Sequence, residues 1–185
     1  MGDPATGRPF FWSTHRRAEP AGQGEPVSFA RPSPTPIRDP QVTRIDFYIL
    51  SDDFAAATSH VLTACKLCDK ATAGGKRVYA YVPDAAAAEA LDSALWSFRQ
   101  GGFIAHERQG TSLEEPLPAV LIGAGEPPAS YDGVMINLGL DVPDFFSRFE
   151  RVLEIVDADP SARSKSRERY KFYRDRGYEL ATHNL

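Results

Sequence analysis

The sequence predicts a single α/β domain, a three-layer sandwich built on a mostly parallel sheet. Three observations carry this. From Arg44 onward, short apolar runs rich in aromatic and β-branched residues alternate with helix-length stretches. Their spacing suits strand–helix–strand units, and no internal repeat interrupts it. The chain has 185 residues, 42% hydrophobic and 25% charged, which is enough for one ordinary domain with its own core.

Residues 1–43 read as a disordered Pro/Gly-rich leader, and 44–185 as the folded domain. The run RPSPTPIRDP (Arg31 to Pro40) admits neither a helix nor an inner strand, because proline lacks the N–H both require. Phe10, Phe11 and Trp12 stand out in the leader, as a local contact or a short docking motif. RIDFYIL (Arg44 to Leu50) is a first strand. Asp52 or Asp53 then caps a helix from Phe54 to Thr72, which Gly74 and Gly75 end. Lys76 to Val82 is a second strand. Pro83 and Asp84 open an alanine-rich helix to Phe98, broken by Gln100, Gly101 and Gly102. Phe103 to His106 is short and extended, and Ala119 to Ile122 and Val134 to Leu138 are further strands. Pro143 to Phe149 reads as a short helix leading into RVLEIV (Arg151 to Val156). A basic helix runs from Asp159 to Arg176, and Tyr178 to Ala181 closes the chain as a short extended piece.

Several chemistries are excluded by their own spacing. AGGKR (Ala73 to Arg77) lacks the first glycine and the Ser/Thr of a phosphate loop, and it joins a helix to a strand, the reverse of the required order. Gly123-Ala-Gly125 follows a strand, but Pro127 and Pro128 open no helix whose N-terminus would hold a pyrophosphate. Cys65 and Cys68 have no second pair to complete a zinc site, and Cys65 is mid-helix rather than at the helix start that activates a redox thiol. They read as small core residues. The histidines His15, His60, His106 and His183 are scattered, and no nucleophile elbow or carboxylate pair is present. No catalytic, cofactor-binding or metal-ligating set is expected. Two cysteines give no disulfide framework, and neither an apolar h-region nor a membrane-length run is found, so the expected setting is the reducing cytoplasm.

The last helix opposes the charge of its own chain. Asp159 to Arg176 holds seven basic residues against three acidic ones, a net +4 in a protein of net −4. Such an element invites an acidic partner.

From Arg44 to the C-terminus the chain resembles the chi subunit family of the bacterial DNA polymerase III holoenzyme. The matching text is FYIL, GKRV (Gly75 to Val78), LDSALW (Leu91 to Trp96) followed by Phe103 and His106, DFFSRFERVLEIVD, and RERYKFYRDRGYEL (Arg167 to Leu180). The leader has no counterpart in the family's shorter chains. The resemblance implies a nucleotide-binding-like fold without a functional nucleotide site. It also implies a non-catalytic subunit of a DNA-directed DNA polymerase complex, without cofactors. Chi-like proteins link the clamp loader to single-stranded DNA-binding protein by gripping that protein's acidic C-terminal tail, which ends in an aromatic residue and a free carboxylate. A separate surface binds the psi subunit. The tail-binding pattern falls here on Arg163, Arg167, Tyr170 and Lys171, with Val156 and Thr182 beside them. The second partner interface falls on Trp96 and Phe103. DNA would be reached only indirectly.

Arg163, Arg167 and Lys171 recur every four residues, so their side chains share one slowly turning helix face, with Tyr170 and Arg174 on the same side. By the residues alone such a run is a solvated face, and Lys165, Arg169 and Arg176 make a second stripe roughly opposite. The family selects the first stripe as the grip and leaves the second as ordinary solvated charge. An apolar pocket walled by Val156 and Tyr170 is expected at one end. Trp96 sits at helix spacing with Leu91 and Leu95, which suits a core position, whereas a large aromatic also suits an interface; the family favours the interface. Two competing functions remain: direct nucleic-acid binding by the basic helix, weakened by the acidic net charge and the lack of a stacking platform, and a nucleotide-using enzyme, which lacks its phosphate loop.

Overall fold

The structure is a computed structural model that describes residues 42–51, 56–98, 102–110 and 115–185, all within one compact unit, Arg38–Leu185. Residues 1–41 of the predicted leader, with Phe10, Phe11 and Trp12, the Asp52/Asp53 capping turn and the Gln100–Gly101 break lie outside the described residues.

The elements follow in order as β1 (Arg44–Ile49), α1 (Ala56–Ala73), β2 (Val78–Tyr81), α2 (Ala85–Ser97), β3 (His106–Arg108), β4 (Val120–Gly123), β5 (Val134–Asn137), a 3-10 turn (Phe146–Arg148), β6 (Arg151–Val156), α3 (Pro160–Asp175) and β7 (Glu179–Asn184). They form a single seven-stranded sheet in the order β3-β4-β2-β5-β6-β1-β7, with every neighbouring pair parallel. The central strands β4 and β5 are buried along their whole length and mostly apolar, as parallel strands covered on both faces must be. Leu91 and Leu95 of α2 and Cys65 and Cys68 of α1 pack with Ala80, Ile122, Ile136 and Ile155 on one face. Phe146, Phe149 and Tyr173 pack with Phe47, Met135 and Val152 on the other, under α3.

Both cysteines are fully buried, and burial raises the Cys65 thiol to about 11 and the Cys68 thiol further, as suits core residues. The Ala73-to-Arg77 turn joins α1 to β2, with Gly75 at φ +71°, a backbone region that favours glycine.

Three elements differ from expectation. The helix expected over Pro143 to Phe149 is one 3-10 turn, because its aromatics are drawn apart. Phe146 packs against Tyr173 and Tyr178, each at 5.2 Å, while Phe149 stacks on Tyr79 at 6.1 Å. The extended piece near Phe103 enters the sheet only at His106, since Phe103 stays outside against Trp96. The C-terminal extended piece is a full edge strand, β7, registered along the whole of β1. Thr43 is anchored as well: its buried hydroxyl donates to the Phe149 carbonyl at 2.8 Å.

Candidate protein-binding surfaces

Helix α3 starts at Asp159, whose carboxylate accepts from the Ser161 and Ala162 N–H groups, with Pro160 in the first turn. It lies on the sheet through Ser166, Arg169 and Tyr173, its buried residues, spaced three and four apart. Arg169 therefore does not belong to a solvated stripe, contrary to the sequence reading. It is 5% exposed, its Nε donates to Glu154 Oε2 at 2.9 Å, and its Nη1 donates to the Leu140 carbonyl at 2.7 Å. Glu154 is fully buried and also accepts from Tyr173 Oη at 2.7 Å and Asn137 Nδ2 at 3.1 Å. A buried carboxylate needs such a set of donors. Burial raises the Tyr173 phenol, and the adjacent Glu154 carboxylate raises it further. One signal in the sequence pointed this way: Glu154 alternates with Val152 and Val156, so it must face inward with them.

This anchor fixes which side of α3 faces solvent. Arg167 and Lys171 are exposed, and Arg163 is half-buried. Tyr170 is 38% exposed and lies over Phe47, with ring centroids 5.3 Å apart. Phe47 is registered with Thr182 on the edge strand and Glu154 on β6, so these three share one face of the sheet. Tyr170 thereby ties the outer side of α3 to the row that ends at the exposed Thr182. Val156 ends β6 and is only 4% exposed. It is a core residue rather than an open wall, because it is registered with Ile49 and packed in the core under α3. The other charges of α3 have local partners: Lys165 with Glu168, Arg174 with Asp175, and Arg176 over the Phe172 ring at 3.6 Å.

Trp96 and Phe103 form a second surface, on the opposite side of the sheet order. Each is 62% exposed, and their rings meet at 5.0 Å. Leu91 and Leu95 take the core positions of α2, which leaves Trp96 on the outer face. His106 closes the cluster, 5.1 Å from Trp96 and 5.9 Å from Phe103.

Beside it, at the carboxyl ends of β2, β3 and β4, lies a cavity of about 770 Å³. In doubly wound folds this is where a phosphate is cradled. Here Gln109, unnoticed in the sequence, occupies the turn. Its Oε1 accepts from the Gly125 N–H at 3.1 Å and the Tyr79 hydroxyl at 3.2 Å, and its Nε2 donates to the Glu126 carbonyl at 2.8 Å. A Cβ at Gly123 would stand 2.2 Å from Gln109 Oε1, so the glycine makes room for a protein side chain. The Gly125 N–H that a phosphate would need is already engaged. Among the described residues no group of three His, Cys, Asp or Glu side chains is placed to hold a metal, and no helix is long and apolar enough to cross a membrane.

Such a molecule is an α/β protein with a filled phosphate turn and two exposed surfaces, one basic and one aromatic. Residues 42–181 match the family model described as DNA polymerase III chi subunit, HolC, and the chain belongs to that family. It is 39% identical over 144 residues to the DNA polymerase III subunit chi of Pseudomonas aeruginosa, covering 78% of this chain and 98% of that one. The subunit chi of Escherichia coli is 30% identical over 141 residues (74% and 94% covered), and that of Haemophilus influenzae 29% over 139 (75% and 95% covered). Among solved structures, the crystal structure of T4 UvsW matches with a TM-score of 0.55 at 6% identity, over 81% of this chain and 42% of that chain. That likeness shows the α/β fold alone. Membership of the family implies an accessory role in DNA replication.

Proposed function

We propose that the protein is a non-catalytic, cytoplasmic adaptor of the replicase that grips the acidic C-terminal tail of single-stranded DNA-binding protein and links it to the clamp loader. Arg163, Arg167, Tyr170 and Lys171 hold the tail, with Thr182 beside them and Val156 beneath. Trp96 and Phe103 receive the clamp-loader side, through psi or its equivalent. One observation carries the reading: Arg167, Tyr170 and Lys171 stay exposed on one side of a helix whose other side is locked down by the buried Arg169–Glu154 pair.

The energetics suit a modest, salt-sensitive contact. Exposed ion pairs contribute about 0–1 kcal/mol each. Burying a terminal Phe side chain adds roughly 1.5–3 kcal/mol. With Arg forks on successive carboxylates, binding near −8 kcal/mol, or about micromolar, is within reach.

The test is calorimetry with an acidic peptide ending in Phe. Arg167→Ala with Lys171→Ala is expected to weaken binding by up to about thirtyfold while the circular dichroism spectrum and unfolding midpoint stay close to wild type. Unchanged affinity in that double variant overturns the assignment. Tight binding of naked single-stranded DNA at physiological salt, lost in the same variant, would establish the nucleic-acid reading instead.

A further inference from the structure

The sheet ends at β3 on one side and at β7 on the other, and these two edges differ. β3 is three residues long, and Glu107 and Arg108 put charge on it, so it offers little to a further strand. β7 has six residues in unbroken register with β1, and Leu180 to Asn184 holds no Lys, Arg, Asp, Glu or Pro. The usual guards of an edge strand are missing from it. Its backbone groups alternate in direction. The Leu185 N–H donates to the Ile49 carbonyl at 3.0 Å, and in a parallel pair alternate residues turn their N–H and C=O groups to the same side. Ala181, His183 and Leu185 therefore bond towards β1, whereas Leu180, Thr182 and Asn184 turn their backbone groups off the sheet. Thr182 and Asn184 are exposed, and among the described residues no strand pairs beyond them.

Helix α3 decides what can pair there. It turns by about 100° per residue. Seen from its buried line, Ser166 and Tyr173, Arg169 falls on one flank, and Tyr170, Arg163, Arg167 and Lys171 fall on the other. Arg169 reaches the Leu140 carbonyl, just past β5, so its flank looks towards the middle of the sheet. Tyr170 lies over Phe47 of β1, next to β7, so the basic flank looks towards the open edge. A strand added to β7 would carry every second side chain on the face that Thr182 shares with Phe47, beneath that flank. Carboxylates suit those positions. A second copy of the chain does not: edge-to-edge pairing about a two-fold axis would set one basic flank against the other, like charge on like.

We infer that the acidic partner segment binds in extended form as an eighth strand on β7, with its alternate carboxylates beneath Arg167 and Lys171. The inference rests on the acidic-tail reading of α3. It adds what side chains alone do not supply: main-chain hydrogen bonds to Leu180, Thr182 and Asn184 that fix the register of the segment.

The probe is the acidic peptide ending in Phe, made in three forms: unmodified, and N-methylated on one or the other alternate set of backbone nitrogens. An added strand turns only one set towards β7. One methylated form is therefore expected to bind about tenfold or more weakly than the other, through lost hydrogen bonds at equal charge. In the full chain, amide hydrogen exchange of Leu180, Thr182 and Asn184 is expected to slow when the unmodified peptide is added, while the amides of Ala181 and His183, already bonded to β1, change little. Thr182→Pro removes one outward N–H and leaves the β1 ladder its own residues, and is expected to weaken binding about tenfold. Equal affinity of the two methylated forms, or unchanged exchange at Thr182 with bound peptide, overturns the eighth strand. Slow exchange of those three amides in the free chain, or a dimer that the peptide dissociates, also overturns it, because the edge is then already paired. Equal binding of all three peptides, each weakened by Arg167→Ala with Lys171→Ala, removes the eighth strand and leaves the tail grip standing; no binding of any form removes both.

Discussion

Replacing Arg169 by alanine is the sharpest test of how α3 is held. Glu154 is fully buried and takes donors from Arg169, Tyr173 and Asn137. Without Arg169 its charge keeps only neutral partners, and the Leu140 carbonyl loses its donor. Stranding one member of a buried ion pair costs about 3–5 kcal/mol. Domains of this kind are stable by only about 5–15 kcal/mol, so a large share of the total is at stake. The expected fall in melting temperature is roughly 6–20 °C at this size. Lys165 and Arg167, on the exposed sides of the same helix, should cost within about 0.5 kcal/mol when truncated. Urea unfolding followed by circular dichroism reads the difference as a shift in midpoint at constant slope. Glu154→Gln in the Arg169→Ala background should recover part of the loss, because it removes the stranded charge. An Arg169→Ala midpoint as close to wild type as that of Lys165→Ala would refute the anchoring argument.

Three further outcomes are expected. Gly123→Ala must expel the Gln109 side chain, which forfeits its bonds to Tyr79, Gly125 and Glu126; a loss of about 1–3 kcal/mol in urea unfolding is expected, relieved when Gln109→Ala is added. Affinity for the acidic peptide should fall steadily as salt rises beyond about 0.15 M, with a shallower dependence in Arg167→Ala; a salt-independent constant would contradict the charge stripe. Asp46 gives the pH dependence: burial pushes its carboxyl up, but hydrogen bonds from Arg151 and His183 outweigh this and hold it below the ordinary range. A depressed folded pKa contributes stability that is complete above the unfolded value, about 4, and is lost as pH falls through the folded one. Arg151→Gln should therefore be less stable than wild type near neutrality, with the gap narrowing under acid; a constant gap across the acid range would sink the argument.

The order of strands and helices was legible because burial on both faces demands predominantly apolar strands, and RIDFYIL, VMIN and RVLEIV are such runs, each with a single buried polar residue (Asp46, Asn137 and Glu154). The basic character of α3 was equally plain, since charge is a property of composition. Which basic residues face water was not. Spacing separates Arg167 from Arg169 by two positions, and only packing tells which side of the helix meets the sheet. Trp96 was ambiguous for the same reason: helix periodicity admits it with Leu91 and Leu95, and the sheet accepts only the leucines.

By itself the sequence determined the α/β class, the family, the absence of a phosphate-loop pattern and a helix of opposite charge, all properties of local pattern and residue content. The tertiary structure decided the rest. It turned one cation of the supposed solvated stripe into a buried anchor, filled the phosphate turn with Gln109, and set His106 Nε2 against Asp92. Each of these joins residues distant in sequence, and a buried donor or acceptor meets its partner only once the chain has folded, which no spacing along the chain records.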